Sequence, residues 1–529
     1  MSFGYFWETL GFAAIGLIFS LFLAATSFPL PSKINFSTLK FRFPQLIKTE
    51  NSKFGQIAVT QNGEQQSFFI NGRLSFANQE AYENQKLIAL IKPFVKNPGK
   101  VLALTSPLLA NELYQSLSQP DLDFVEIDGK LLTLEKNHLT LGITPVASDP
   151  RRFLNQTTQK YDLILISLGN PQTLFENRYF TQEFFLNLKR HLTADGILAV
   201  ILSFPIDYQS QEALNFGATI LGTLQTVFPS LELFTPENQL LFLAGSQPLQ
   251  VNEGQNTPAW QDYFAYEFGN QKRTAISEKL AATPTKINTD FEPVAFFYQQ
   301  LFWQTMFSFK MPRLILKLAA FLPFILLLSV LVVFIISFPK RRLSNRPLLG
   351  TMVACSSFML VSLEILILLI FQTKIGYLYS QISLLLALVL LGIALGTKFQ
   401  SLIKTKAQTL LTFGFAAFLC ILCVILGVKN LPLSESPFFW LGIIFAVGIA
   451  HGMIFASLSW QLSKPPFQST SKNPNPGYLY AFDLFGGFAG AFLSSTFLLP
   501  FLGVGNLSVL LGGIALINLV AVRLFFCRK

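Results

Sequence analysis

The chain has 529 residues, of which 51% are hydrophobic and 13% carry charge, with a mean hydropathy of +0.47. A soluble globular chain carries about 25% charged residues, so the composition excludes a wholly water-facing protein. A net charge of +10 would suit nucleic acid, but the Lys and Arg cluster beside apolar runs. Without a basic, aromatic-interleaved groove, nucleic acid is excluded as a partner and membrane lipid is expected instead.

In chain order, residues 10–28 form one apolar stretch that lacks the basic n-region of a signal peptide, which predicts a retained anchor in a first unit, 1–29. Residues 30–97 read as a linker and β-hairpin region, with "FGQIAVTQNGEQQSFFINGRLSF" turning at Asn62-Gly63 and Asn71-Gly72. From 98 to 295 the pattern alternates. Strands "KVLALT", "LDFVEID", "YDLILISL" and "GILAVILSF" are interleaved with helices "LLANELYQSLS", "GKLLTLEKNHL" and "TQEFFLNLKRHL". Alternation of this kind predicts an α/β, Rossmann-like domain with a mainly parallel sheet and a ligand site at the strands' carboxyl ends. An interfacial connector, 296–317, leads to a polytopic α-helical membrane domain, 318–529. Its seven candidate helices are 318–338, 348–371, 379–396, 410–428, 438–462, 478–502 and 507–526.

The loops between these helices alternate in charge. "PKRRLSNR", "KFQSLIKTK", "SKPPFQSTSKN" and the tail "CRK" carry two to four basic residues each, whereas "TKIGY", "KNLPLSESP" and "GVGN" carry one or none. Basic loops stay cytoplasmic, which places the chain in a bacterial-type inner membrane with the α/β domain on the extracytoplasmic side. Lys33, Lys40, Arg42 and Lys48 follow the first apolar stretch and point the other way, but a large folded domain weakens the rule there.

All four cysteines, Cys355, Cys420, Cys423 and Cys527, lie in or beside membrane segments, and the histidines are only His138, His191 and His451. Cys420 and Cys423 are spaced CxxC but inside an apolar run, where they read as small packing residues, and the histidines are too few and scattered, so no metal is expected.

The order "VEID", "ASDPRRFL", "KYDLILISLGNP", "NRYFTQEFF" and "LTADGILAV" after a hairpin resembles the spermidine synthase (polyamine aminopropyltransferase) family. That family shares its sheet with S-adenosylmethionine-dependent methyltransferases. "INTDFEPVAFFYQQLFW" and "GYLYAFDLFGGFAGAFLSSTFLLPFLG" are similar to the family's membrane-integrated branch. The resemblance implies decarboxylated S-adenosylmethionine as the cofactor of an active member. It also implies ligand-binding roles for Glu126, the ribose-binding acid, for Asp128, and for Asp149, which meets the adenine.

Several positions depart from the family pattern. The Gly-rich turn after the first strand reads "LTSPLLANE", with Pro107 and Leu108 in the space a nucleotide needs. The resemblance implies acids at Ser167 and Asn170, the first to take a proton from an attacking amine and the second to hold the cationic substrate. Neutral Ser and Asn do neither. The family's Tyr-His-Glu signature survives only as Tyr82 to Asn84. Glu126, Asp128 and Asp149 then read either as ligand contacts or as inherited turn and helix-cap acids. Ser167 and Asn170 read as part of a Gly-Asn-Pro turn, and Glu176 to Phe180 as a loop clasped by Arg178. In the membrane domain Glu364, His451 and Asp483 read either as a proton, cation or small-molecule site or as interhelical hydrogen-bonding glue.

The sequence therefore predicts a catalytically degenerate domain, a pseudoenzyme with no catalytic residue and no cofactor. It would serve as a scaffold, docking or sensing subunit beside other membrane or extracytoplasmic proteins. The alternatives are an active membrane-bound aminopropyltransferase and a transporter whose α/β domain is regulatory.

Overall fold

The computed structural model describes residues 30–79, 81–252, 256–306, 321–332, 335, 346–376, 379–402, 407–428, 436–462 and 477–526. The apolar stretch 10–28 and the strongly basic connections between membrane helices lie outside the described residues.

A helix, Leu30–Arg42, precedes a four-stranded antiparallel sheet of β1 (Leu46–Asn51), β2 (Gln56–Asn62), β3 (Gln65–Ile70) and β4 (Arg73–Ala77). Its turns fall at the Asn-Gly pairs expected, with Gly63 and Gly72 at positive φ. β1 and the opening helix carry no strong alternation, so the sequence by itself leaves them within a linker and β-hairpin region. A helix Ala81–Ile91 then leads to the larger sheet.

That sheet holds β5 (Lys100–Leu104), β6 (Asp121–Glu126), β7 (Ile143–Ala147), β8 (Tyr161–Ile166), β9 (Leu192–Ser203), β10 (Ser230–Phe234) and β11 (Gln239–Gly245) in the order β10-β11-β9-β8-β5-β6-β7. β5 to β9 are parallel where they pair, and β11 runs antiparallel between β9 and β10. Leu163 to Ile166 of β8 are fully buried, because helices cover both faces of a central parallel strand. Each such Leu or Ile contributes about 1.5–3 kcal/mol by burial. The strand order reverses direction at β5, so the crevice beyond the tips of β5, β6 and β8 is where this topology offers a ligand site.

Of the connector, 296–317, residues 296–306 are described and continue the α/β domain's packing. Helix Val294–Met306 packs against helix Gln211–Gln225 of the α/β domain and buries Ala295, Phe297 and Leu301. The turn before it is fixed by side chains. Arg151 donates to both oxygens of Asp290 (2.8 and 2.6 Å), and Asn288 bonds Phe180 O and Ala295 N. From there Phe291 O accepts from Val504 N at 2.7 Å, at the break between the last two membrane helices.

Five helical runs among the described residues are long and apolar enough to cross a membrane: Arg346–Lys374, Ile382–Phe399, Ala407–Gly427, Pro437–Leu462 and Gly477–Leu524. The last combines two of the expected spans. It passes through a π turn, Ser494–Leu498, and breaks at Gly503, where φ is +71°. Of the first expected span only Phe321–Val332 is described as an apolar helix. Arg346–Lys374 and Gly477–Leu493 run parallel, since Gly486 meets Ala354, Gly490 meets Phe358, and Ser494 donates to Ser362 at 2.7 Å. A Cβ on Gly392, Gly396, Gly448 or Gly452 would collide with backbone of the opposing helix, so Tyr379–Leu402 and Pro437–Leu462 touch along their main chains. Lys374–Gly376 and Gly503 lie at the bundle end that carries the α/β domain.

Candidate functional site

At the tip of β5 the expected glycine turn is a capped helix start. Ser106 accepts from Leu109 N at 3.4 Å and Pro107 occupies the first turn of helix Pro107–Ser116. Pro107 is buried, while Leu108 packs against Ile57, Val59, Phe68, Phe76 and Leu131. Leu108 therefore fastens the small sheet to the large one.

The two acids at the tip of β6 are taken up locally. Glu126 accepts from Asp128 N at 2.8 Å, and Asp128 caps helix Gly129–Glu135 through Lys130 N and Leu131 N. Asp128 Oδ2 and Glu135 Oε2 are buried without a hydrogen-bond partner among the described residues. Burial pushes the Glu126 carboxyl up to about 7. Burial, then the charges of Glu126 and Asp128, hold Glu135 well above the usual carboxylate range.

Asp149 caps helix Pro150–Gln156 through Arg151 N and Arg152 N. Its carboxylate also meets the buried Arg178, with Nη1 2.9 Å from Oδ2 and Nη2 donating to Oδ1 at 3.2 Å, and it accepts from Tyr179 Oη at 3.3 Å. The guanidinium lies over the rings of Phe175 and Tyr179, and its Nε has no acceptor among the described residues. Arg178 is thus a buried cation that neutralises the acid beside β7. A side chain on Gly376, in the "TKIGY" loop of the membrane domain, would stand 3.7 Å from Arg178 Nη1 and 3.9 Å from Asp149 Oδ2.

At the tip of β8, Gly169 takes φ +76° and the turn brings Asn170 against β9. Asn170 is more than a turn residue. Its Nδ2 donates to Ser203 O (2.8 Å) and Gln299 Oε1 (3.2 Å), and its Oδ1 accepts from Ser203 N (2.9 Å). An amide can donate and accept at once, whereas an ionised carboxylate only accepts. Ser167, at the same tip, is half-buried, and its N–H continues the ladder to Leu104 O. Over this turn Arg73 of β4 pairs with Glu176 at 2.9 Å, a bridge between the small sheet and the loop after β8. Glu176 meanwhile closes a capping box with Thr173.

A cavity of about 340 Å³ opens beside the tip of β9, lined by Glu83, Lys86, Ser203, Glu237 and Asn238 among others. Lys86 pairs with Glu237 and lies over the Tyr82 ring, while Asn84 is buried and its Nδ2 has no partner among the described residues.

Within the membrane bundle the structure joins two of the three expected polar residues. His451 Nε2 stands 3.3 Å from Asp483 Oδ1, whereas Glu364 has no contact with either. Among the described residues no group of three or more His, Cys, Asp or Glu could hold a metal.

No family model matches the chain. Among curated proteins it is similar to a polyamine aminopropyltransferase 2 of Aquifex aeolicus, 23% identical over 300 residues, covering 53% of this chain and 59% of that one. It is also similar to a polyamine aminopropyltransferase of Oceanobacillus iheyensis, 29% identical over 210 residues, covering 36% and 40%. The polar half of the chain is a spermidine-synthase-like domain. The chain spans about half the length of these curated relatives. Among solved structures a probable spermidine synthase from Corynebacterium glutamicum aligns with 46% of this chain and 96% of its own, at 14% identity and a TM-score of 0.35. In the spermidine-synthase-like domain, sequence reasoning identified the acids at the strand tips and the residues at the tip of β8. It missed Arg73, Ser203, Gln299 and Gly376, which lie 30 to 200 residues away in sequence and carry no motif.

Proposed function

We propose that the spermidine-synthase-like domain is catalytically degenerate and serves as a docking, scaffold or sensing module seated on the membrane bundle. The observation that carries this reading is the pairing of acids with the chain's own cations around the strand tips: Asp149 with Arg178, Glu176 with Arg73 and Glu237 with Lys86. A polyamine needs free anions to replace its hydration, and these carboxylates are already neutralised. Asn170, tied three ways to Ser203 and Gln299, supports the same reading, because it fixes the sheet rather than facing a substrate.

The residues present do not fit an aminopropyl donor such as decarboxylated S-adenosylmethionine. Asp149 is closed by Arg178 and Tyr179, Asp128 Oδ1 is taken by a helix cap, and a capped helix replaces the glycine turn. The Gly376 loop beside Asp149 couples this blocked crevice to the membrane domain, which suits a module that reads or transmits a binding event. The parallel pairing of Arg346–Lys374 with Gly477–Leu493 sets the α/β domain at the bundle end away from Arg346 and Gly477. Those two starts follow basic segments, which supports an extracytoplasmic domain in a cell membrane.

A second reading, an active aminopropyltransferase, is favoured by one observation. Glu83 lines the cavity at the tip of β9 and forms no ion pair among the described residues. Incubating the purified full chain with decarboxylated S-adenosylmethionine and putrescine separates the two. No spermidine and no saturable heat of binding are expected; catalytic formation of spermidine would overturn the degenerate reading. For sidedness, Leu141→Cys, at a 96% exposed position, should react with an impermeant maleimide in intact cells. Labelling only after lysis would place the domain inside.

A further inference from the structure

Three membrane helices meet at a buried polar cluster that the α/β domain does not touch. His451 sits on Pro437–Leu462, roughly 16 Å from its Leu462 end by helical rise. Asp483 comes from Gly477–Leu493, and Ser356 and Ser357 come from Arg346–Lys374. His451 Nε2 is 3.3 Å from Asp483 Oδ1, which also accepts from Ser357 Oγ. On the other side of the ring, Ser356 Oγ lies 3.3 Å from His451 Nδ1 and 2.8 Å from Val353 O. These four residues have no further hydrogen-bond or ion-pair partners among the described residues beyond Val353 O, which Ser357 also reaches at 3.1 Å.

The hydrogen-bond geometry accommodates two protonation states. A hydroxyl has one proton and two lone pairs. With the Ser356 proton turned to His451 Nδ1, the ring is neutral, Nε2–H donates to the Asp483 carboxylate, and the pair has charge −1. With the Ser356 proton turned to Val353 O, the same oxygen accepts from Nδ1–H, the ring is an imidazolium, and the pair has charge 0. In both forms each N–H and O–H of the cluster has an acceptor, and the forms differ by one proton. Interhelical glue needs only one of them, and an amide pair would supply it without placing ionisable groups in hydrocarbon, which is costly.

We infer that His451 and Asp483, with Ser356 and Ser357, form a proton-binding site inside the helix bundle. Loading forms one N–H bond, between an incoming proton and the Nδ1 lone pair, while the Ser356 hydroxyl rotates to Val353 O; no other bond changes. His451 is almost enclosed, whereas 23% of the Asp483 side chain is exposed, so protein does not seal the pair completely. The remaining titratable side chains described on the helices packed around it are Arg346, Cys355, Glu364, Lys374, Lys398, Cys420, Cys423, Tyr478, Tyr480 and Arg523. Among the described residues the polar partners of His451 and Asp483 are each other, Ser356 and Ser357. The inference is independent of any activity of the α/β domain.

The test is a histidine titration by NMR on the full chain in lipid nanodiscs. The chain has three histidines, so His138→Gln with His191→Gln leaves His451 as the sole labelled imidazole. Its ring nitrogens are expected to move reversibly between neutral and imidazolium positions within about pH 5–9. Asp483→Asn should lower the midpoint by about one pH unit or more, because it removes the anion that favours the cation. A ring locked in one charge state across that range overturns the inference. So does a midpoint that Asp483→Asn leaves in place. Should Asp483→Asn fail to insert, the titration with Asp483 intact decides alone.

Discussion

Arg178 Nη1 stands 2.9 Å from Asp149 Oδ2, and a side chain grown on Gly376 would touch both. A carboxylate that heads a helix, a buried guanidinium and a loop from the membrane bundle thus share one position. Removing Arg178 leaves Asp149 a buried charge without its partner, which costs about 3–5 kcal/mol in comparable pairs. Arg178→Ala should lower the melting temperature of the full chain far more than Arg73→Ala. The Arg73–Glu176 pair is partly exposed and contributes about 0–1 kcal/mol. Differential scanning fluorimetry of the two variants checks the order.

Asn170→Asp tests the amide staple. The carboxylate keeps the bond from Ser203 N but turns an acceptor toward Ser203 O and Gln299 Oε1, which then lose their donor. A loss of about 1–3 kcal/mol is expected, with no polyamine product gained. If Asn170→Asp, alone or with Ser167→Asp, produced spermidine without loss of stability, the crevice would be a working site lacking only its acids.

Gly503→Ala addresses the link between domain and bundle. Gly503 has φ +71°, and a Cβ there would press on Phe291 O at 2.7 Å and on the Glu292 side chain. Phe291 O is the acceptor for Val504 N, so the substitution should loosen this junction. Amide exchange at Val504 and protease cutting near Phe291 should both rise, with the α/β core still protected.

Stability should depend on pH through Glu126 and Glu135. The Glu126 carboxyl is pushed from its ordinary 4.5 up to about 7 by burial, and Glu135 moves in the same direction. The folded chain then holds protons that the unfolded chain releases, so stability falls as pH rises from about 4.5 to about 7 and stays lower above that. Glu126→Gln and Glu135→Gln should each stabilise the protein at pH 8 and have little effect near pH 4. Melting curves across that range check the sign.

Sequence alone determined the broad architecture, for reasons that are local. Apolar runs such as Leu163–Ile166 have no alternative to a buried strand, runs of about 20 apolar residues have none to a membrane helix, and Asn-Gly pairs have few to a hairpin turn. For Asp128 and Asp149 it offered two readings, ligand contact or helix-cap acid, and both residues do cap helices, since a cap is written within three residues. Tertiary structure alone decided which polar side chains meet. Arg178 reaches Asp149, Arg73 reaches Glu176, Gln299 reaches Asn170 and His451 reaches Asp483 across separations of 29 to 129 residues. Pairings at such distances are set by how helices and sheets pack, and neither periodicity nor composition records that. The tip of β8 shows the division most plainly: its residues could be read as missing acids, but only the fold gave Asn170 its partners on β9.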